Sequence, residues 1–396
     1  MPHIFVSTGE VSGDLQASHL IRVLKEQRPD LRVTALGGER MAAAGATLLH
    51  ETTGMSAVGL VEALPFVLPT LRLMWQIRRW LQRDRPDLVI LVDYIGVNAR
   101  VGRLMQQQGI PAVYYIAPQE WVWHLNDQMT QQLVSFTRLM LSIFPEEERY
   151  YAAAGANVRW VGHPLVDILQ SAPSREDARK QFKLSPDARA VMVMPASRSQ
   201  ELRTIAPVLL QAARQLQQQV PHLTIWVPLS RPQFEAEIAR IARRIGVDIE
   251  FWRGDARVAI AAADLILAKS GTVNLEAAIL GVPQVVVYRV NWLTAWVARK
   301  ILGFSIPFMS PPNLVQMRGI VPELLQEEAN PDRIVREALP LLTDRDRQRQ
   351  LQQDYAQMRT ALGKPGAIAR AAAEVLRVLD EAIAANPPTL SSQPED

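Results

Sequence analysis

The stretch Asp264-Leu-Ile-Leu-Ala-Lys-Ser-Gly-Thr-Val-Asn-Leu-Glu276 predicts a strand, a tight turn and a helix in direct succession. The apolar run 265–268 is typical of a buried strand, and the turn consists of Ser270, Gly271 and Thr272. Small residues at a helix N-terminus leave backbone N–H groups and the positive end of the helix dipole facing outward, and both suit a pyrophosphate. A turn that only caps its helix is the alternative.

Glu276 lies four residues after Thr272, about one helical turn further along the same face. From there its carboxylate can accept two hydrogen bonds from a ribose diol. We therefore predict a nucleotide-sugar site in this stretch, with a solvated Glu276 as the alternative.

The same alternation of short apolar strands and helical periodicity runs through the whole chain. It predicts an α/β protein with two doubly wound, Rossmann-like domains that face each other across a central cleft. Ligands are expected beyond the carboxyl ends of the strands. The predicted strands are 4–7, 33–36, 88–93, 112–116, 139–144 and 158–161 in the first half, and 190–194, 223–227, 249–252, 265–268 and 283–288 in the second.

Prolines and serines interrupt the pattern between residues 162 and 186, which indicates a linker. We expect an N-terminal acceptor-binding domain with a membrane-facing apolar region, a C-terminal domain that binds the nucleotide sugar, helices that pack across domains or subunits, and a disordered tail. These four parts correspond to residues 1–170, 171–345, 346–385 and 386–396.

The composition is that of a globular protein, with 396 residues, 48% hydrophobic and 21% charged residues, and a net charge of +3. The chain has no cysteine, which excludes disulfides, thiolate catalysis and cysteine-bound zinc. Histidines are few, and no Asp-x-Asp follows a strand, so we expect neither a metal nor another cofactor. We expect no nucleic-acid partner, and the N-terminus shows no signal peptide, which favours a cytoplasmic protein.

Two predicted strand ends in the first half carry carboxylates. Asp93 ends a fully apolar strand, where a partly desolvated carboxylate suits general-base catalysis, or alternatively caps the next helix. Glu10, Ser12 and Asp14 follow the first strand and are predicted to bind acceptor hydroxyls, with a capping box as the alternative for Ser12 or Asp14.

In the second half, Arg198 follows the first strand and opens a helix. Its planar guanidinium suits phosphate oxygens, whereas a salt bridge to Glu201 is the alternative. Without a metal, the leaving diphosphate would be stabilised by helix ends and by Arg198.

The longest apolar region, residues 57–75, contains Glu62, Pro65 and Pro69 and therefore does not form an uninterrupted membrane span. Arginines and tryptophans follow it, so we predict contact with a lipid surface or acyl chains; a helix with one buried and one solvated face is the alternative. The predicted contact residues are Val58, Leu60, Val61, Leu64, Phe66, Leu68 and Leu71, and a second contact is considered at 291–300.

Taken together, these motifs resemble the lipid-A-disaccharide synthase family over nearly the whole chain. The matching segments are Gly9-Glu10-x-Ser12-Gly13-Asp14, Gly37-Gly38-x-Arg40-Met41, Val58-Gly59-x-x-Glu62, Asp93 with Asn98, Tyr115-x-x-Pro118-x-x-Trp121-x-Trp123, Gly162-His163, Ser197-Arg198-x-x-Glu201, Ser270-Gly271-Thr272-x-x-x-Glu276, Tyr288-Arg289, Pro312-Asn313-Leu314-Val315 and Val321-Pro322-Glu323. Their number and order make the resemblance specific.

The resemblance implies an inverting, metal-independent GT-B glycosyltransferase. Such enzymes join UDP-2,3-diacylglucosamine to 2,3-diacylglucosamine 1-phosphate, which gives the β-1′,6-linked lipid A disaccharide 1-phosphate and UDP. By resemblance, Asp93 and Arg198 match essential residues, Asn313 and Glu276 lie on the nucleotide side, and Glu10 and His163 are expected to orient sugar or phosphate groups. Members act as peripheral proteins on the inner face of the inner membrane, and some form homodimers by exchanging C-terminal segments.

The chain departs from the family pattern at three places, namely at 94–98, at Ala196 and at 124–132, where a basic segment is missing. The last departure concerns the acceptor and its phosphate most directly. Two alternative functions stay open. One is an isomerase similar to UDP-N-acetylglucosamine 2-epimerase, which shares the two-domain plan and the nucleotide site. The other, which the departures near Asp93 and Trp123 suggest, is a catalytically weakened relative that binds acylated sugars.

Overall fold

The computed structural model describes residues 1–53, 67–93, 95–123, 127–185, 187–196, 199–229, 231–289 and 308–385. The chain divides into two compact units. The first comprises Met1–Pro164 and the segment from Gly363 onward, and the second is Leu165–Leu362.

The first unit contains a parallel sheet of seven strands in the order β3-β2-β1-β4-β5-β6-β7. Its central strand, Leu88–Val92, is apolar at every position and completely buried, as expected for a parallel strand that is covered on both faces. The strands are β1 His3–Ser7, β2 Arg32–Gly37, β3 Thr47–Glu51, β4 Leu88–Val92, β5 Ala112–Tyr115, β6 Leu139–Ser142 and β7 Val158–Trp160.

Helices cover both faces of this sheet. They are α1 Val11–Gln27, α2 Glu39–Ala43, α3 Val67–Leu81, α4 Ile95–Gln107, α5 Glu120–Trp123, α6 Asp127–Phe136, α7 Pro145–Ala153 and, at the boundary of the units, α8 Pro164–Ile168. One core packs Phe5, Leu91 and Tyr114 of the sheet against Leu73 of α3 and Phe136 of α6.

The second unit repeats the plan with six parallel strands in the order β10-β9-β8-β11-β12-β13. The strands are β8 Arg189–Met194, β9 Leu223–Pro228, β10 Glu250–Trp252, β11 Leu265–Lys269, β12 Gln284–Tyr288 and β13 Glu323–Leu325. The helices are α9 Arg175–Gln181, α10 Ser199–Thr204, α11 Ala206–Gln219, α12 Glu235–Ile245, α13 Ala256–Ala262, α14 Thr272–Ile279, α15 Pro311–Gln316, α16 Pro331–Thr343 and α17 Arg345–Ala361. Short 3-10 turns occur at Leu169–Ser171, Pro232–Phe234 and Gln326–Glu328.

The last helix, α18 Ala367–Ala385, belongs to the first unit. It contacts α1, β4 and β5, and Arg28 and Arg138 form ion pairs with Asp380 and Glu381. Among the described residues, no helix has both the length and the apolarity that crossing a bilayer requires.

All eleven predicted strands are present, with ends that differ by at most two residues. The sequence did not predict β3 and β13, each of which lies at one edge of its sheet and carries polar residues.

The domain limits differ from the expected ones in two respects. The second unit begins at Leu165 rather than at 171, because Leu165 and Leu169 of the expected linker are buried. Within the expected helical part 346–385, α17 packs in the second unit and α18 in the first. Residues 386–396 lie outside the described residues.

Candidate active site

The strand order reverses at one place in each sheet, between β1 and β4 in the first unit and between β8 and β11 in the second. Doubly wound sheets bind ligands beyond the carboxyl ends of the strands at this switch point. Residues 7–14, from the end of β1 into the first turn of α1, lie at the first switch point together with Asp93, and the turn 270–272 lies at the second. Topology thus brings most of the predicted site residues to two expected ligand positions.

At the first switch point, Ser12 connects two carboxylates. Its hydroxyl lies 3.4 Å from Oε2 of Glu10 and 3.3 Å from Oδ2 of Asp93. A hydroxyl has one proton, so Ser12 can donate to only one of them at a time. Each carboxylate has several acceptor positions, so either can also accept a hydrogen bond from a sugar hydroxyl. Two neighbouring predicted site residues, Glu10 and Ser12, therefore form one cluster with Asp93, which is 81 positions away from Ser12.

Asp93 has an unusual backbone for a residue with a side chain, with φ 54. Few residues other than glycine adopt this left-handed conformation, although Asp is among those that tolerate it best. The conformation ends β4 and turns the chain toward α4, whose Asn98 side chain donates to the carbonyl oxygens of Val92 and Asp93, at 3.0 and 3.4 Å.

Asp14 was predicted to bind substrate, but its carboxylate binds the backbone of its own unit. It is buried and accepts from the N–H groups of Gly38, Arg40 and Met41, at 2.8, 3.3 and 3.2 Å. A Cβ on Gly38 would lie 2.9 Å from Oδ2 of Asp14, so this close approach requires glycine. The capping alternative for Asp14 therefore fits better, although the helix that it caps is α2 and not α1.

His163 follows β7 and is buried against the ring of Phe144, with 5.2 Å between ring centroids. Burial lowers the pKa of His163 to about 3. The imidazole is therefore neutral at physiological pH. It can orient a group through a hydrogen bond, but it does not supply the positive charge that a phosphate would favour.

At the second switch point, the turn between β11 and α14 is held by its own hydrogen bonds. Ser270 Oγ donates to the carbonyl oxygen of Met309 at 2.6 Å, and the N–H of Gly271 donates to Oδ1 of Asn274 at 2.7 Å. Thr272 is the exposed first residue of α14. Asn274 was not predicted as a site residue, although its spacing from Gly271 is that of a capping box.

Lys269, also not predicted, ends β11 directly before this turn. Its ammonium lies 3.1 Å from Oε1 of Glu201 of α10, and both side chains are mostly buried. The two residues are 68 positions apart, so no local pattern could indicate this ion pair. Glu201 was considered as the partner of Arg198, which lies outside the described residues.

Glu276 lies on α14 and is partly exposed. The carboxylate of Asp255, which hydrogen-bonds to Arg257, and the nearby charge of Glu276 together raise the pKa of the Arg257 guanidinium. Glu276 therefore lies close to a cation as well as near the turn.

Asn313 was predicted on the nucleotide side, but the structure uses its whole amide internally. Oδ1 accepts from the N–H groups of Ile320 and Val321, at 2.8 and 2.9 Å. Nδ2 donates to the carbonyl oxygen of Val321 at 3.0 Å and to Oε1 of Glu323 at 2.7 Å. Asn313 is 1% exposed, so it positions the surrounding backbone instead of offering a free amide to a ligand.

Glu323 continues this network to the donor turn. Its carboxylate accepts from the N–H groups of Met309 and Ser310, at 2.9 and 2.7 Å, and Met309 in turn accepts from Ser270. The first turn of α15 and the turn 270–272 are therefore fixed to each other within the second unit.

Of the predicted lipid contacts, Leu68 and Leu71 of α3 lie in the described residues and are 68% and 58% exposed. They form one stripe with Trp75, which is 58% exposed and carries the guanidinium of Arg79 4.6 Å from its ring centroid. Val58, Leu60, Val61, Leu64 and Phe66, and the segment 291–300, lie outside the described residues.

In the part of the chain that the structure describes, no group of three or more acidic or histidine side chains is arranged to hold a metal ion. The metal-independent mechanism stays a prediction.

The two parallel α/β units, with candidate sites at both switch points, define a GT-B-type protein, a class of glycosyltransferases and related nucleotide-sugar enzymes. Solved structures share this fold over nearly their full length. A UDP-GlcNAc 2-epimerase from Neisseria meningitidis bound to UDP-GlcNAc superposes with TM-score 0.68 at 12% identity, covering 95% of this chain and 100% of that chain. MurG of Acinetobacter baumannii superposes with TM-score 0.59 at 18% identity and the same coverage. At these identities the likeness concerns the fold only.

Sequence comparison identifies the family. A family model described as lipid-A-disaccharide synthetase matches residues 4–378. The lipid-A-disaccharide synthase of Gloeothece citriformis is 47% identical over 379 residues, covering 94% of this chain and 99% of the relative. That of Synechocystis sp. is 44% identical over 381 residues, covering 94% and 97%. The chain therefore belongs to the lipid-A-disaccharide synthase family and is a glycosyltransferase, and the epimerase is a relative in structure only.

Proposed function

We propose that this protein transfers the diacylated glucosamine of UDP-2,3-diacylglucosamine to the 6-hydroxyl of 2,3-diacylglucosamine 1-phosphate. The products are the β-1′,6-linked lipid A disaccharide 1-phosphate and UDP. The observation that carries the proposal is the cluster of Glu10, Ser12 and Asp93 at the first switch point, in a chain whose family performs this chemistry.

On the acceptor side, Asp93 is the general base. Its carboxylate takes the proton of the acceptor hydroxyl while that oxygen attacks C1 of the donor sugar, and the bond from C1 to the diphosphate breaks. Attack from the face opposite to the diphosphate inverts the configuration at C1. Ser12 and Glu10 orient the acceptor hydroxyl beside Asp93. The Ser12 hydroxyl donates to the carboxylate of either Glu10 or Asp93. General-base catalysis contributes a factor of about 10² to 10⁴.

On the donor side, the turn 270–272 and the N-terminus of α14 bind the diphosphate, and Glu276 binds the ribose. Arg198 adds positive charge where negative charge develops on the leaving UDP. Lys269, paired with Glu201, ends the strand directly before the donor turn. We expect that no divalent ion takes part in the reaction. Asn313 supports the donor turn through Glu323 instead of touching the nucleotide.

The exposed stripe of α3 supports peripheral binding to the inner face of the inner membrane. Leu68, Leu71 and Trp75 offer apolar contact, and arginines at 72, 78 and 79 match anionic headgroups. Each CH₂ of an acyl chain that leaves water contributes about 0.8 kcal/mol, so such a surface also helps both acylated substrates to leave the bilayer.

We also propose a homodimer in which α18 is exchanged. Within one chain, α18 pairs with α1 through Arg28 and Asp380. The same contacts serve equally well when the helix comes from a second copy. Light scattering of the full chain distinguishes a dimer from a monomer.

One assay tests the function. The protein is incubated with UDP-2,3-diacylglucosamine or with UDP-N-acetylglucosamine, each with and without the monosaccharide acceptor, and products are identified by chromatography and mass. We expect disaccharide and UDP only from the acylated donor with acceptor, at a rate that chelators leave unchanged. Conversion of UDP-N-acetylglucosamine without acceptor would indicate an isomerase, and binding of acylated sugar without UDP release would indicate a weakened relative.

Asp93→Asn tests the base. The variant keeps the size of the side chain but cannot accept the proton, so we expect turnover to fall at least about a hundredfold while UDP affinity stays within about twofold. Asp30→Asn, which changes an exposed carboxylate of the same unit, is the control and retains wild-type turnover. An active Asp93→Asn enzyme would exclude the proposed role.

A further inference from the structure

Two residues with left-handed backbones lie next to each other at the carboxyl edge of the first sheet. Asp93 follows β4 with φ 54, and Ile116 follows the neighbouring β5 with φ 59. For a β-branched residue such as Ile116, this conformation is a clear outlier, and it persists only where the surroundings enforce it. Such strain is concentrated at functional sites.

The carbonyl group of Asp93 is held by side chains of two elements. The hydroxyl of Tyr114, on β5, donates to this oxygen at 2.9 Å. Asn98 also donates to this oxygen, at 3.4 Å, and its own orientation is fixed by the hydroxyl of Ser7, which donates to Oδ1 at 2.7 Å. Tyr114 and Asn98 are completely buried, and burial raises the pKa of Tyr114, so its hydroxyl keeps the proton that it donates.

The N–H group of Asp93 is held by the end of β5 and the residue that follows it. This N–H donates to the carbonyl oxygens of Tyr115 and Ile116, at 3.2 and 3.1 Å. The chain just beyond Ile116 is fixed by a buried carboxylate, because Glu147 of α7 accepts from the N–H of Ala117 at 3.0 Å.

Glu147 also fixes the end of the next strand. It accepts from the N–H groups of Ile143 and Phe144, at 2.9 and 3.3 Å, and so joins the loops after β5 and β6. One turn further along α7, the hydroxyl of Tyr151 donates to the carbonyl oxygen of Pro118 at 2.7 Å. Burial raises the pKa of Glu147 to about 8, although the three N–H donors oppose the shift.

We propose that Tyr114 and Glu147 are positioning residues for catalysis, which hold the strained turn at Asp93 and Ile116 and thereby aim the Asp93 carboxylate at the acceptor hydroxyl. This inference rests on the proposed role of Asp93 as the base. Neither residue touches substrate: Tyr114 acts through the backbone of Asp93, and Glu147 acts through the chain at Ile116 and Ala117. A displacement of about 1 Å at a reacting group lowers a rate by up to about a hundredfold, so a small relaxation of this turn is sufficient to be measured.

Tyr114→Phe removes the hydroxyl and leaves the ring. We expect kcat to fall about tenfold while KM for both substrates changes less than about twofold, because binding is intact and only the aim of the base is lost. Tyr355→Phe is the matched control. Tyr355 is equally buried and donates to the carbonyl oxygen of Val282, but it belongs to the second unit. It should lower the melting temperature to a similar extent and leave kcat within about twofold.

Glu147→Gln is the second variant, since it replaces one accepting oxygen by an amide that faces backbone N–H groups. Glu147→Gln is expected to lower kcat in the same way. If Tyr114→Phe does not fold, Glu147→Gln alone tests whether the turn at Asp93 is held for catalysis. In an Asp93→Asn background, Tyr114→Phe should cause no further loss, because a residue that acts through Asp93 has nothing left to position. A purely structural role would make the two losses multiply.

The outcomes separate the two proposals. If Asp93→Asn is slow but both positioning variants keep wild-type kcat, or if their losses multiply with that of Asp93→Asn, the positioning role is wrong and the proposed function stands. If Asp93→Asn is as active as the wild type, the proposed function fails and the positioning role fails with it.

Discussion

At the level of single residues, Asp14 and Asn313 show that a polar side chain in a predicted site can serve the fold instead of a ligand. Both were predicted to bind substrate, yet both accept hydrogen bonds from backbone N–H groups. The partners of Asp14 are distant in sequence, and those of Asn313 are close. Ser12 and Asp93, by contrast, meet across the sheet at a switch point. A residue type shows which hydrogen bonds are available, but only the fold shows which partners use them.

Asn313→Ala is expected to lower the free energy of unfolding, because Asn313 holds the backbone and does not touch the nucleotide. The change removes four hydrogen bonds and leaves the buried N–H groups of Ile320 and Val321 without their acceptor, so the free energy of unfolding should fall by about 3 kcal/mol. Asn330→Ala is the control. Asn330 is exposed and caps α16 with one accepted bond, and its loss costs about 1 kcal/mol. Urea unfolding of both variants measures the difference, and equal losses would contradict the positioning role of Asn313.

His163 should make the protein sensitive to acid. Its pKa is about 3 in the folded chain, against 6.5 for an ordinary solvated histidine, so the unfolded chain binds the proton more tightly. Folded-state stability is therefore lost as the pH falls below about 6.5. Between pH 7 and pH 5 the wild type should lose about 2 kcal/mol more than His163→Gln, measured by urea unfolding at both pH values. Parallel losses in the two proteins would show that His163 is not buried in neutral form.

At the level of elements, α3 is apolar on two sides. Leu73, Met74 and Ile77 are buried in the first unit, whereas Leu68, Leu71 and Trp75 remain exposed. Helical periodicity predicts the buried side of α3 well, because a helix that packs on a core needs one apolar face. A second apolar face that stays exposed to water does not stabilise the fold, so the exposed stripe indicates a binding surface.

A triple variant, Leu68→Ser, Leu71→Ser and Trp75→Ser, tests this stripe. Because all three side chains are exposed, we expect little change in melting temperature but at least a tenfold loss of binding to vesicles of anionic phospholipid, measured by co-sedimentation. Leu73→Ser is the contrasting variant, since it alters the buried side and should lower stability. Undiminished vesicle binding by the triple variant would place the lipid contact elsewhere.

At the level of the whole molecule, the C-terminal helix completes the first unit. Ala371, Val375, Val378 and Leu379 of α18 are buried, and the helix contacts α1 and the central strands. Because the core of the first unit contains residues from both ends of the chain, it is complete only after the last helix has been synthesised and has packed.

Truncation after Leu362 is therefore expected to unfold the first unit selectively. The loss of the buried face of α18 removes about 6 kcal/mol or more of apolar burial, which is a large part of the stability of a typical domain. Hydrogen exchange should show lost protection in β1, β4 and β5 but not in β8 and β11. Truncation after Ala385 is the control and should leave both units protected, and protection of β4 in the shorter chain would contradict this role of α18.

The sequence by itself determined the fold class, eleven of the thirteen strands in the described residues, the family and the two strand ends where chemistry is expected. Apolar runs, turn residues and local spacing encode these features within a few consecutive residues. The tertiary structure alone decided that Asp14 and Asn313 bind backbone, that Lys269 pairs with Glu201, and that burial lowers the pKa of His163. It also decided that Tyr114 binds the backbone of Asp93 and that Glu147 binds that of Ala117. These features depend on burial and on contacts between residues far apart in the chain, and such contacts exist only once the sheets have formed.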